Sequence, residues 1–96
     1  MTAYVILIRD EPVRDPEAMA EYRNTNRKNA AGFKLTPLVA YGAVEALEGA
    51  APDGVVVLQF PTMEDAKSWY ESPAYQAVLP HRKKAADYRA FIVQGL

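Results

Sequence analysis

The chain has 96 residues, of which 50% are apolar and 24% charged. This length allows one hydrophobic core and therefore one domain, residues 1–96, and the composition is that of a folded protein rather than a disordered one. Eleven basic residues stand against twelve acidic ones. With a net charge of -1 and no block of like charges, the sequence argues against nucleic acid and anionic membranes as partners.

Metal and thiol chemistry is restricted by composition. Cysteine is absent and histidine occurs once, as His81. Disulfides, thiol nucleophiles and thiolate metal sites are therefore excluded, and one chain cannot build a site from several histidines. We expect no metal and no cofactor. The apolar start of the chain has no basic leader and reaches charged residues after eight positions, so we expect no signal peptide or membrane span and a cytoplasmic location.

The first half of the chain predicts a strand, a helix and a second strand. Residues 3–9 are rich in β-branched and aromatic side chains, which is typical of a strand. An aspartate, a proline and an acid in succession predict a helix over residues 16–30, which Gly32 ends. The alanines of residues 38–47 suit a helix, but Pro37 before them and the glycine turns after them favour a second strand.

The third strand and the second helix have the clearest signals. Three consecutive valines predict a strand over residues 55–60, joined to the second strand by a hairpin loop at residues 48–53. Thr62 is a helix N-cap with an acid three positions later. The helix that follows has its apolar residues on one face, namely Ala66, Trp69 and Tyr70.

The last part of the chain predicts another helical segment and a strand. Ser72 and Pro73 form a cap followed by proline, and Pro80 should bend or restart this helix because it lacks an amide hydrogen. Residues 90–94 predict the fourth strand. The order β-α-β-β-α-β is that of an α+β, ferredoxin-like fold, with a four-stranded antiparallel sheet and the helices on one face.

Both faces of the predicted sheet are apolar. The first strand divides into Tyr4, Ile6 and Ile8 on one side and Val5, Leu7 and Arg9 on the other, so both sets are largely apolar. An open apolar face of several hundred Å² is larger than monomers usually expose. We therefore expect a homodimer formed through the sheet face away from the helices. The alternative is that loops cover this face.

Several motifs run in the order in which a known family has them. They are DPEA (residues 15–18), YGAVE (41–45), FPTME (60–64) and WYxSPxY (69–75). With these motifs, essentially the whole chain resembles domain-of-unknown-function family 1330. The resemblance implies the dimeric α/β-barrel fold, in a family without an established activity. More distant dimeric α/β-barrel families include cofactor-independent monooxygenases, isomerases, haem-handling enzymes and ligand-binding modules, so the fold does not choose among them.

Aromatic side chains with a polar end are the candidates for a ligand site, because they suit a pocket for a flat organic molecule. Two charged residues join them, Glu48 at the end of the second strand and Arg82 in the third helical segment. The predicted site consists of Tyr22, Tyr41, Glu48, Trp69, Tyr75 and Arg82. The alternative is that the aromatic residues fill the core while Glu48 and Arg82 lie in a turn and in a surface ion pair.

Other catalytic residues find little support in the sequence. Ser72 has no neighbouring base and is better explained as a helix cap. His81 is an imidazole that could serve as a general base, but the basic residues after it indicate a solvated position that does not suit haem. Two classes of function stay open. One is a cofactor-independent enzyme acting on a small organic molecule, and the other is a ligand-binding or structural dimeric module without turnover.

Overall fold

The computed structural model describes residues 1–29 and 32–96. Seven elements follow one another along this part of the chain. They are β1 (Ala3–Arg9), α1 (Pro16–Asn29), β2 (Thr36–Ala40), β3 (Gly54–Phe60), α2 (Met63–Glu71), α3 (Pro73–Ala85) and β4 (Tyr88–Gln94). Ala30, the last residue of the first predicted helix, lies outside the described residues.

The four strands form one antiparallel sheet in the order β2-β3-β1-β4. Ile6, in the middle of β1, lies opposite Val57 of β3 and Phe91 of β4. Residues that lie directly opposite each other share a face of the sheet, so these three apolar side chains lie together. The arrangement is the ferredoxin-like α+β fold that the sequence predicts, with β1 and β3 in the centre and β2 and β4 at the edges.

The hydrophobic core lies on one face of the sheet only. Buried and half-buried residues alternate along β1 and β3, and the buried set packs against the helices. The larger members of this core are Val5, Leu7, Val56, Leu58 and Phe60 from the sheet and Met19, Tyr22, Trp69, Tyr75, Val78 and Leu79 from the helices. The opposite face of the sheet carries no helix among the described residues.

The second and third helices begin where the sequence predicts. The side chains of Thr62 and Ser72 accept hydrogen bonds from the amides three residues on, which caps α2 and α3. The predicted restart at Pro80 was wrong, because α3 is one continuous helix. Pro80 removes the amide that would bond to the carbonyl oxygen of Gln76, but both residues are exposed and water can hydrate this oxygen.

The predicted second strand extended too far. The strand over residues 38–47 was expected to end near Glu48, whereas β2 ends at Ala40. Tyr41 follows with a φ of 59°, in the left-handed region, where an extended strand cannot continue. The connection to β3 is therefore the irregular segment 41–53 rather than a short loop at residues 48–53.

Three strands begin earlier than predicted. β2 begins at Thr36 and includes Pro37, which an edge strand tolerates because its amide side need not bond to a neighbour. The register shifts between Pro37 and Val39, next to the missing amide. β3 begins at Gly54 and β4 at Tyr88, since both residues pair across the ladder with the end of β1.

Candidate functional site

A cavity of about 520 Å³ lies on the helix side of the sheet, next to the edge formed by β2 and β3. Its volume falls in the range of small-molecule pockets, roughly 300–1,000 Å³. The residues that line it are Leu7, Tyr22, Arg23, Asn26, Leu35, Pro37, Ala40, Tyr41, Val56, Leu58 and Trp69. The cavity is open here because α1 packs mainly on α3 rather than on the sheet.

The floor of the cavity is formed by side chains on the helix-facing side of the sheet. Leu7, Val56 and Leu58 occupy helix-facing positions of β1 and β3, so their aliphatic side chains form an apolar surface. Tyr22 from α1 and Trp69 from α2 supply the aromatic wall, and both are almost fully buried. The site is therefore largely apolar, with a small number of polar groups at defined positions.

Gly54 allows Tyr41 to lie against the start of β3. A Cβ atom at position 54 would come within 2.8 Å of Tyr41 Cδ1, closer than side chains approach one another. The ring of Tyr41 also lies under two cations, with the guanidinium carbon of Arg9 at 5.0 Å and that of Arg23 at 5.2 Å from its centroid. These contacts hold Tyr41 at the cavity wall.

Behind Tyr22 lies a buried set of three residues that we call the Arg82 network: Arg82, Tyr75 and Tyr22. Arg82 Nη1 donates a hydrogen bond of 3.1 Å to the Tyr75 hydroxyl, which lies 2.9 Å from the Tyr22 hydroxyl. Arg82 is only 5% exposed, yet no carboxylate among the described residues pairs with it and its Nε has no hydrogen-bond partner there. A buried guanidinium charge thus lies two hydrogen bonds from the cavity.

A second set, the Arg9 network, has the same arrangement and consists of Arg9, Tyr88 and Tyr41. Arg9 Nη1 donates to the Tyr88 hydroxyl over 3.1 Å, and this hydroxyl lies 2.7 Å from that of Tyr41. Unlike Arg82, Arg9 has a carboxylate partner, since its Nη2 lies 2.9 Å from Asp53 Oδ2. Both networks therefore lead from a buried arginine, through one tyrosine, to a second tyrosine that lines the cavity.

Burial raises the pKa of Tyr22, Tyr41 and Tyr75 above the ordinary value for tyrosine. For Tyr22 the interaction with Tyr75 adds to the effect of burial, and for Tyr41 the hydrogen bond to Tyr88 does so. Burial also raises the pKa of Tyr75, although the charge of Arg82 opposes it. At neutral pH these hydroxyls keep their protons and act as hydrogen-bond donors.

The raised tyrosine pKa values predict that the protein loses stability in alkali. In the unfolded chain each of these tyrosines ionises near pH 10.0, whereas the folded state holds the proton more tightly. Their contribution to stability is therefore complete below that pH and decreases as the pH rises through it. We expect Tyr22, Tyr41 and Tyr75 to ionise only as the protein unfolds, which phenolate absorbance and circular dichroism can follow together. Ionisation of all six tyrosines in one step with the fold intact would contradict this.

The structure brings five of the six predicted site residues together. Tyr22, Tyr41 and Trp69 line the cavity, and Tyr75 and Arg82 lie directly behind Tyr22. Glu48 is not among the lining residues. It was placed at the end of a strand, but β2 ends eight residues earlier and Glu48 is exposed in segment 41–53.

The site predicted from the sequence did not include four residues that belong to the cavity or to its networks, namely Arg9, Tyr88, Arg23 and Asn26. Arg9 had a usable signal, because the alternation along β1 places it on the same face as Leu7 and thus puts a charge on the buried side. Tyr88 was missed because the fourth strand was expected to begin at Ala90. Arg23 and Asn26 stand on an exposed or half-exposed part of α1, where polar residues usually indicate only a solvated helix face.

The described residues contain neither a cluster of metal ligands nor a membrane-spanning helix. Within residues 1–29 and 32–96, no cluster of three or more histidine, aspartate or glutamate side chains has the geometry to hold a metal ion. In the same part of the chain, no helix is both long enough and apolar enough to cross a membrane.

The sequence matches one known protein family over nearly its whole length. The family described as "Domain of unknown function (DUF1330)" matches residues 2–96. The chain belongs to this family. The match covers nearly the whole DUF1330 chain and confirms the resemblance seen in the motifs. No curated protein matches the sequence at a significant level.

Solved structures similar to this DUF1330 protein share its fold. RPA0582, a protein of unknown function from Rhodopseudomonas palustris, has a TM-score of 0.73 at 18% identity, over 99% of this chain and 82% of its own. A dimeric ferredoxin-like protein of unknown function from Thermobifida fusca has a TM-score of 0.62 at 15% identity, over 96% and 88%. Another dimeric ferredoxin-like protein, from Bacteroides fragilis, has a TM-score of 0.57 at 12% identity, over 98% and 96%.

Proposed function

We propose that this protein is a homodimer that binds a small, largely apolar organic molecule in the cavity between α1 and the β2–β3 edge of the sheet. The observation that carries the proposal is the cavity itself: about 520 Å³ of space, lined mostly by apolar residues, with Tyr22 and Tyr41 among the lining residues. Tyr22, Trp69 and Tyr75 also belong to the core, as in the alternative raised by the sequence, and the cavity lies beside them.

The lining indicates the size and shape of the ligand. Leu58 and Val56 on the floor favour an apolar body, and the aromatic lining residue Trp69 suits a flat ring. Among the described residues that line the cavity, those with a charge or an amide are Arg23, which is exposed, and Asn26, which is half-buried. Such residues at the rim favour a ligand whose polar substituent lies near the entrance or along the tyrosine wall.

Arg82 does not line the cavity and influences a bound ligand only through Tyr75 and Tyr22. Its guanidinium polarises the hydroxyl of Tyr75, and through it that of Tyr22, because hydrogen bonds in a buried series strengthen one another. Tyr75 itself is 1% exposed and also stacks on Trp69, with ring centroids 4.2 Å apart. In this proposal, Tyr75 and Arg82 position and polarise the site while Tyr22, Tyr41 and Trp69 contact the ligand.

The open face of the sheet supports the dimer. Its exposed apolar residues include Phe91, Val93 and Val39, which are 44%, 43% and 39% exposed. The molecule measures 32 × 31 × 16 Å, so this face is one of its two broad sides and has room for the roughly 800 Å² per partner that a stable interface needs. The similar proteins from Thermobifida fusca and Bacteroides fragilis are described as dimers, which agrees with this assembly. We propose that the occupant of the face is a second copy of the chain.

Catalysis of a reaction on the bound molecule is the second candidate function. Tyrosines that keep their protons can stabilise negative charge that develops on a substrate oxygen, which is one way to catalyse a reaction without a metal or cofactor. A binding module needs only the cavity, whereas an enzyme needs these donors to interact more strongly with the transition state than with the substrate.

Calorimetric titration with a panel of small phenols and aromatic carboxylates tests the proposal. We expect at least one compound to bind to the wild type. The Ala40→Phe variant places a ring in the cavity and should abolish this binding, whereas Ala20→Phe, on an exposed part of α1 that does not line the cavity, should leave it unchanged. Equal binding by all three proteins would show that the compound binds elsewhere, and this would refute the proposed site.

A further inference from the structure

We infer that the cavity recognises its ligand through an oxyanion, a phenolate-type or enolate-type oxygen carried on an apolar ring, which accepts hydrogen bonds from the hydroxyls of Tyr22 and Tyr41. The inference rests on the proposed ligand-binding function and specifies the chemical class of the ligand. It follows from the direction of the hydrogen bonds in the two networks and from the charges around the cavity.

The Arg82 network has a preferred direction. A guanidinium only donates, so the oxygen of Tyr75 accepts from Arg82 and Tyr75 keeps a single proton of its own. The positive charge favours the orientation in which this proton points away from Arg82, toward the oxygen of Tyr22. The proton of Tyr22 then has no acceptor among the described residues, and Tyr22 lines the cavity. A buried donor without a partner is costly, so a ligand oxygen that accepts from it is favoured.

The Arg9 network has a preferred direction for the same reason. Arg9 donates to the oxygen of Tyr88, whose own proton is directed toward the Tyr41 oxygen 2.7 Å away. The other acceptor near Tyr88 is Met19 Sδ at 4.0 Å, and a thioether at that distance is a weak competitor. The hydroxyl proton of Tyr41 is thereby left to donate into the cavity that Tyr41 lines. Two polarised donors, one from each network, thus face the same space.

The charges around the cavity favour an anion. None of its described lining residues is an aspartate or glutamate, whereas Arg23 lies at the rim. Arg9 is neutralised by Asp53, but the buried charge of Arg82 has no carboxylate partner within residues 1–29 and 32–96. Tyr22 and Tyr41 both line the cavity. An oxyanion between these groups would compensate Arg82 without requiring either tyrosine to ionise.

The probe for this inference is 4-nitrophenol, whose phenolate absorbs visible light, compared with 4-nitroanisole, which has nearly the same shape but cannot ionise. We expect the wild type to bind 4-nitrophenol as the phenolate at a pH at which most of the free compound is neutral, with the proton released to solvent. We expect 4-nitroanisole to bind more weakly, on the order of tenfold or more, the effect of hydrogen bonds to a charged group. This comparison needs no variant and is therefore independent of any folding defect.

Variants assign the effect to the two hydroxyls. Tyr22→Phe and Tyr41→Phe should each weaken phenolate binding by about tenfold and leave 4-nitroanisole binding unchanged. Tyr70→Phe is the control, since Tyr70 is half-buried and does not line this cavity. If both compounds bind equally and 4-nitrophenol stays neutral when bound, the inference is overturned while the proposed function stands. If neither compound binds and the calorimetric panel also fails, both are overturned.

Discussion

Replacement of Trp69 by alanine is expected to reduce the free energy of unfolding by about 3 to 5 kcal/mol, the range for large aromatic residues in a core. Trp69 is 2% exposed, and its ring centroid lies 4.2 Å from that of Tyr75 and 5.6 Å from that of Phe60. Removing the indole therefore loses packing against α3 and β3 together and leaves a cavity that a rigid sheet cannot close.

Equilibrium urea unfolding of the two proteins measures this loss. Lys67→Ala is the matched control, since Lys67 is an exposed residue of the same helix and its removal should change stability by no more than about 0.5 kcal/mol. A loss below about 1 kcal/mol for Trp69→Ala would contradict the assignment of this residue to the core.

A single charge in the open face of the sheet is expected to separate the proposed dimer. Ile6 lies in the middle of that face, opposite Val57 and Phe91 on the neighbouring strands. In the Ile6→Glu variant, the two-fold symmetry would place two unpaired carboxylates in one apolar interface, at a cost of several kcal/mol. Since about 1.4 kcal/mol corresponds to a tenfold change, the dimer dissociation constant should rise on the order of a hundredfold or more.

Sedimentation equilibrium at micromolar concentration distinguishes the outcomes. Ala77→Glu adds the same charge at an exposed position of α3, on the helix side of the molecule, and should leave association unchanged. A wild type that sediments as a folded monomer would refute the dimer. An Ile6→Glu variant that associates as strongly as the wild type would show that the subunits use another surface.

The fold could be predicted where the local signals were strong and agreed with one another. β1 has the bounds that its run of β-branched residues indicates, and the caps at Thr62 and Ser72 begin their helices as expected. β2 could not be delimited in this way. The strand ends at Ala40 because the next residue, Tyr41, has a left-handed backbone. It begins at Thr36 because pairing with β3 places Pro37 in an edge strand. Both the start and the end of β2 are consequences of tertiary structure.

Some of the site residues could be predicted from the sequence and others could not. Tyr22, Tyr41 and Trp69 were identifiable because aromatic residues with a polar end are common in pockets. Arg9 and Tyr88 belong to the second network only because β1 and β4 pair in a register that places them opposite each other. Glu48 was misplaced for the same reason that β2 was extended too far. Register and strand ends, rather than residue types, decided which side chains meet.

A crystal structure grown with 4-bromophenol tests most directly whether the cavity beside α1 holds an organic ligand. The anomalous signal of bromine locates the compound independently of how it is fitted. We expect one strong peak in the space lined by Tyr22, Tyr41 and Trp69, and no such peak in crystals of the Ala40→Phe variant. Bromine found only on the open sheet face or on the outer surface of the helices, with the cavity occupied by water, would contradict the claim.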